Sequence, residues 1–252
     1  MPATPAWPPQ STPRLFVDAP LADGLDLRIE GGQAHYLLHV MRLKPGDPVK
    51  LFDDRTGEWL AEVAMMGKRD VILRVDGHLR PREPVPDLWL LIAPIKKARI
   101  DLVAEKACEL GVARLQPVLT HRTVVDRVNP DRLRAQMIEA AEQCGRTALP
   151  ELGAPQKLPA LLRGWDADRA LYFADETGGE LFARAVRPGP AAILIGPEGG
   201  FDDEERAAIR NTPGAVPVSL GATILRAETA AIAAVSVWMA LAATGFARES
   251  GS

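Results

Sequence analysis

A chain of 252 residues, 47% hydrophobic and 25% charged, can form one large domain or two unequal ones and has the composition of a soluble protein. Thirty Lys and Arg against 33 Asp and Glu give a formal net charge of −3, which excludes a generic polyanion binder but not a local RNA-binding patch. Two cysteines without a CxxC, no secretory leader and no convincing membrane span lead to the expectation of a reduced, cytoplasmic protein.

Residues 1–13 read as loose. "RLFV" opens the first strand, "AHYLLHVMRL" (34–43) reads as a short helix, and "PVKLFDD", "GEWLAEVAMMG" and "DVILRVDGHL" read as short strands between turns. Together they predict a small β-barrel module. "RPREPVP" (80–86) holds three prolines and marks the domain boundary. Beyond it, "DLWLLIAP", "RLQPVLT", "RALYFAD", "AAILIG" and "AVPVSL" alternate with helical segments. That alternation predicts an α/β domain on a largely parallel sheet.

Helical spacing puts Ile100, Val103, Ala104, Ala107 and Leu110 on one stripe, closed by Gly111. In "NPDRLRAQMIEAAEQCGR", Asn129 caps, Pro130 takes the first turn, and Leu133, Met137, Ala140, Ala141 and Cys144 face inward. The apolar run 229–243 reads as a buried helix.

Three loops carry chemistry. "LIGPEGGFDDEE" (194–205) turns on glycines and then starts a helix with a capping box from Asp202 to Glu205. It has no GxGxxG, no Walker pattern and no lysine, and Glu198 repels phosphate, so it is either a tight crossover turn or a cradle for a neutral or cationic ligand. "SLGATILRAETA" (219–230) places Arg226 and Glu228 at a helix start. The dipole favours Glu228 there and not Arg226, so Arg226 either pairs with Glu198 or Glu228 or meets a substrate. Between residues 96 and 148, ten Lys or Arg face seven Asp or Glu. Lys96, Lys97 and Arg99 follow one strand, His121 and Arg122 another, and Arg146 a helix. They form either solvated faces or, where they converge, an RNA-binding patch.

These loops, with "HYLLHVMRLKPGD", "KKARIDLVAEKACELGV", "HRT" and "EAAEQCGR", resemble the bacterial 16S ribosomal RNA uridine-N3 methyltransferase family of the SPOUT superfamily. The resemblance covers nearly the whole chain. It implies a PUA-like RNA-binding β-barrel over 1–80 and, over 81–252, an α/β SPOUT domain with a C-terminal trefoil knot. It further implies a homodimer, S-adenosylmethionine as methyl donor, no metal, and 16S RNA of the small ribosomal subunit as substrate. The implied donor pocket comprises Leu171, Tyr172 and Phe173, then Ile195, Gly196 and Gly200, then Leu220, Gly221, Ile224 and Leu225. Arg226, Glu198 and Glu228 are the implied catalytic group. His35, Arg42, Lys96, Arg99, Arg122 and Arg146 are the implied RNA contacts. Ala222 and Thr223 stand where the family usually carries Pro and Arg, so this chain lacks that arginine. The alternatives are a related enzyme acting on transfer RNA or another ribosomal position, a non-catalytic RNA-binding factor, and a nucleotide-dependent α/β enzyme.

Overall fold

The computed structural model describes residues 12–125 and 127–242, in two compact units. The first unit comprises residues 1–84 and 141–148, the second 85–140 and 149–252. The expected boundary at residue 80 puts 141–148 in the second domain. Hydrogen bonds explain its place in the first: Arg14 donates to the carbonyls of Ala141 (2.6 Å) and Arg146 (2.5 Å), and the Phe16 N–H donates to the Glu142 carboxylate (2.9 Å).

In the first unit, β1 (Arg14–Phe16), β2 (Asp26–Ile29), β3 (Pro48–Phe52), β4 (Glu58–Met66) and β5 (Val71–Arg80) form one sheet in the order β1-β3-β4-β5-β2. Only β1 and β3 are parallel. Alternate residues Val71, Leu73 and Val75 of β5 are buried, as a half-covered strand requires. Strand β2 was not read from the sequence, because two of the four residues in "DLRI" are charged; its pairing sets Asp26 opposite Arg74, and their side chains meet at 2.8 Å.

The predicted helix 34–43 is instead α1 (Gly31–His35) running into a π-helix (Tyr36–Val40). The Met41 N–H reaches the Tyr36 carbonyl at 2.9 Å, and Arg42 then adopts φ +54°. A π-turn and a left-handed arginine both depart from what sequence periodicity can report, and both recur at functional sites.

The second unit runs β6 (Leu88–Ile92), α2 (Lys97–Glu109), β7 (Arg114–Leu119), α3 (Pro130–Cys144, its last residues in the first unit), β8 (Glu151–Leu152), β9 (Gln156–Lys157), α4 (Leu158–Arg163), β10 (Ala170–Ala174), β11 (Glu180–Leu181), α5 (Phe182–Ala185), β12 (Ala191–Ile195), α6 (Asp203–Arg210), β13 (Ala215–Ser219) and α7 (Ala227–Ala242). Its eight-stranded sheet has the order β11-β13-β10-β12-β6-β7-β8, with β9 also on β7, and every pairing is parallel. All five residues of β12 are buried, because helices cover both faces. Helix α2 buries Ile100, Val103, Ala104 and Ala107 as spaced, and Asn129 Oδ1 accepts from the Arg132 N–H at 3.0 Å as the expected cap of α3. Cys144, expected to face inward, is exposed. Residues 1–11 and Ala243, covered by sequence expectations, lie outside the described residues.

Candidate functional site at the carboxyl edge of the parallel sheet

Because all strands of this sheet are parallel, every strand-to-helix loop leaves from the same edge. That edge gathers Lys96 and Arg99 after β6, His121 and Arg122 after β7, Asp175 and Glu176 after β10, the 196–202 loop after β12 and the 220–226 loop after β13. Strand β10 lies between β12 and β13, so the two glycine-bearing loops emerge on either side of its end.

The first loop is fixed at several points. Asp202 accepts from the Glu205 N–H at 2.8 Å, and Glu205 returns the bond to the Asp202 N–H at 3.3 Å, completing the predicted capping box. Such a cap is worth about 1 kcal/mol. Glu205 also accepts the His121 N–H at 2.7 Å, and Arg122 donates to the Gly199 carbonyl at 2.7 Å. A Cβ on Gly196 would stand 3.1 Å from the Phe201 ring, and one on Gly200, whose φ is +66°, would collide with the Glu176 carboxylate. Glycine is therefore required at both places to bring backbone close to other groups.

The ion pairing differs from the sequence expectation. Among the described residues, neither Glu198 nor Glu228 forms an ion pair with Arg226. Arg99 meets both: its Nη1 donates to Glu198 Oε1 at 3.1 Å, and its Nε lies 3.4 Å from Glu228 Oε1. Arg226, just before α7, is exposed, and no ion pair of its side chain occurs among the described residues. Glu228 is 9% exposed and its Oε2 is buried without a hydrogen-bond partner. An acceptor left open in a buried position is unfavourable and calls for an explanation.

The residues expected around a donor divide into two groups. Leu171, Tyr172 and Phe173 are wholly buried: Leu171 and Phe173 pack in the core with Phe201 and Ile209, and the Tyr172 hydroxyl accepts the Arg187 N–H at 2.9 Å. Ile195 is buried as well. These four side chains form the floor of the edge rather than an open wall, because a parallel strand covered on both faces has no free face to offer. Gly196, Gly200, Leu220, Gly221, Ile224 and Leu225 lie on the two loops above it, and Ile224 is 89% exposed.

Sequence reasoning missed the charges that anchor the end of β10. Asp175 is buried and paired with Arg206 and, at 2.7 Å, with Arg210. Burial pushes its carboxyl up, but hydrogen bonds from Arg210 and Thr177 and the charge of Arg206 outweigh this and hold it below the usual carboxylate range. The "ADET" run after the strand signalled a turn, but its partners lie 31 and 35 residues away.

His121 Nδ1 stands 2.5 Å from Asp202 Oδ2. Hydrogen bonding to Asp202, then the charges of Asp202 and Glu205, raise the imidazole above its ordinary value. Ligand atoms of His121, Asp202 and Glu205 lie within 4.8 Å of one another. The cap and the His121 contacts already engage both carboxylates, which accounts for the cluster without an ion.

Of the expected RNA contacts, Lys96 and Arg122 are exposed at this edge, while Arg99 is committed to the two glutamates. His35 and Arg42 are exposed in the first unit, with the His35 and His39 rings 4.7 Å apart. Arg146 does not fit a surface role: it is 9% exposed and its Nε donates to Glu83 at 2.6 Å, both residues in the first unit. The reason is that the turn after α3 packs into that unit.

The chain is an RNA methyltransferase of two parts: the model of an RNA methyltransferase domain matches residues 81–239 and that of an RNA methyltransferase PUA domain matches residues 29–76. A ribosomal RNA small subunit methyltransferase E from Synechocystis is 31% identical over 81% of this chain and 69% of its own, and one from Rickettsia conorii is 29% identical over 88% and 93%. Among solved structures, a methyltransferase of Legionella pneumophila with SAM bound superposes with TM-score 0.83 at 31% identity, covering 91% of this chain and 98% of its own. A ribosomal RNA small subunit methyltransferase E of Neisseria gonorrhoeae bound to S-adenosyl methionine gives 0.82 at 25% identity, over 92% and 98%. The chain belongs to the ribosomal RNA small subunit methyltransferase E family.

Proposed function

We propose that this enzyme methylates N3 of a uridine in 16S RNA of the small ribosomal subunit, using S-adenosylmethionine. The observation that carries the reading is the pair of glycine loops flanking the end of β10 in a member of this family. The two loops fit the donor in kind: backbone amides and aliphatic side chains, with no lysine in either loop, suit an adenosine carrying a sulfonium. When bound, the donor supplies a methyl carbon to the nitrogen's electron pair, and sulfur keeps the carbon–sulfur pair and departs as a neutral thioether.

The chain's own residues must present the base and remove its N3 proton. Presentation requires an unpaired or flipped-out uridine. Loss of the proton puts negative charge on the ring, and the cation Arg226, which has no ion pair among the described residues, stabilises it. Glu198 and Glu228 belong to proton handling rather than to orienting Arg226. The loops holding Gly196, Gly200, Leu220, Gly221, Ile224 and Leu225 close around the donor over the floor of Leu171, Tyr172, Phe173 and Ile195. His35, Arg42, Lys96 and Arg122 hold RNA.

The finer architecture belongs to the same reading. Residues 1–80 act as a PUA-like RNA-binding barrel, and 81–252 as a SPOUT methyltransferase domain with a C-terminal trefoil knot. The protein acts as a homodimer, with α7 a candidate for packing against the partner. The compartment is the cytoplasm; among the described residues no helix is long and apolar enough to cross a membrane.

Mass mapping of 16S RNA from cells with and without the gene tests the substrate, with one uridine methyl group expected to vanish. An S-adenosylmethionine-dependent rise in melting temperature tests the donor. A ribosomal RNA unchanged by the deletion would end the proposal.

A further inference from the structure

We propose that Arg99 is a positioning residue of the methyl-transfer site and not an RNA-backbone contact, and that the arrangement it enforces leaves Glu228 Oε2 as the acceptor of the N3 proton. This rests on the functional reading above and deepens it.

The guanidinium joins three segments that are distant in sequence. It rises from the first turn of α2 and reaches Glu198 on the loop after β12 at 3.1 Å and Glu228 in the first turn of α7 at 3.4 Å. A cation in the first turn of a helix is opposed by the helix dipole, so two carboxylates are what make the position tolerable. The guanidinium is planar and its N–H directions are fixed, so it sets the two carboxylates at a defined separation, which a flexible ammonium does less well. Both glycine-bearing loops are thereby tied to one group: the first through Glu198, the second through Glu228, two residues beyond Arg226.

The two carboxylates are not equivalent. Glu198 has a side chain 44% exposed, open to solvent. The Glu228 side chain is 12% exposed; Arg99 faces its Oε1, and its Oε2 is buried with no donor. An N–H brought in by a base satisfies that oxygen, and the proton can pass to it while its electron pair stays on nitrogen for the new bond. Arg226 carries no ion pair among the described residues and remains available to the ring oxygens.

The test uses small ribosomal subunits from cells lacking the gene. Arg99→Ala is expected to lower kcat about 100-fold, the scale of a misplaced catalytic group, with KM for subunits within about threefold. The salt dependence of subunit binding should match wild type. Arg99→Lys should regain at least about tenfold of the lost kcat at unchanged KM, because a cation between the carboxylates returns without the fork. Should the alanine variant not fold, the lysine variant still reads the split between kcat and KM. Adding Arg99→Ala to Glu228→Gln should cost nothing further in kcat, since one acts through the other. Unchanged kcat with raised KM and a salt slope lower by about one would make Arg99 a phosphate contact and overturn the inference. Additive losses in the double variant would overturn it equally. A wild-type chain that binds subunits but transfers no methyl group would remove the functional reading, and this inference with it.

Discussion

The two edges of the parallel sheet use arginine differently. At the amino edge, Arg169 donates to Asp87 at 2.6 and 2.9 Å and stacks on the Trp89 ring 4.0 Å from its centroid, with Arg114 at 4.7 Å from the same ring. The Arg169 side chain is 8% exposed, and its donors serve the backbone at Asp87 and Ala191 as well. At the carboxyl edge, Arg206 and Arg210 lock Asp175, Arg99 links two loops, and Arg226 has no ion pair among the described residues. The same side chain thus serves as a staple where strands begin and as a link between loops where they end. The cause is topological: in a parallel sheet the loops that can move toward a ligand all leave from the carboxyl edge.

Breaking the comparison at its strongest point, Arg226→Ala should lower kcat at least about 100-fold, or about 2.7 kcal/mol of transition-state stabilisation, with donor affinity within a few-fold and melting temperature unchanged. Turnover at the wild-type level would take Arg226 out of the reaction. The converse is Arg169→Ala. It should lose about 2–3 kcal/mol of stability in urea unfolding through charged hydrogen bonds and ring stacking, with kcat retained. A variant of normal stability and low kcat would erase the division between the edges.

A finer contrast lies within the carboxyl edge. Gly200 has φ +66° with Glu176 against it, whereas Gly221 has φ +137° and nothing within 4 Å. Alanine at either should cost about 1–2 kcal/mol for the backbone conformation alone. Gly200→Ala should also move Glu176 and so weaken S-adenosylmethionine binding more than Gly221→Ala does, as titration calorimetry can show. The smallest expected effect concerns pH. The raised His121 value means that its contribution to stability is full below the ordinary imidazole range and disappears as pH climbs through the raised value. The melting-temperature advantage of wild type over His121→Gln should therefore be larger at pH 6 than at pH 9, and a constant difference would show that His121 acts uncharged.

Much of the fold could be read from local pattern. The continuous apolar runs of β6 and β12, the stripe of α2, the Asn129 cap and the Asp202–Glu205 box are all set by neighbours within a few residues, and all appear where the spacing puts them. What periodicity could not supply was the two-charge strand β2, the π-turn at Tyr36–Val40 and the placement of residues 141–148, each decided by partners far along the chain.

Which residue types stand at which strand ends is written in the chain order, and the two glycine loops are legible there, while a catalytic role for Arg226, Glu198 and Glu228 is implied only by the family resemblance. Who holds whom is settled by packing alone: Arg99 rather than Arg226 between the two glutamates, Arg146 buried on Glu83, and Asp175 between Arg206 and Arg210. Ion pairing depends on distance and desolvation, which packing sets, and residues 99, 198 and 228 become neighbours only once parallel strands have brought their loops to one edge.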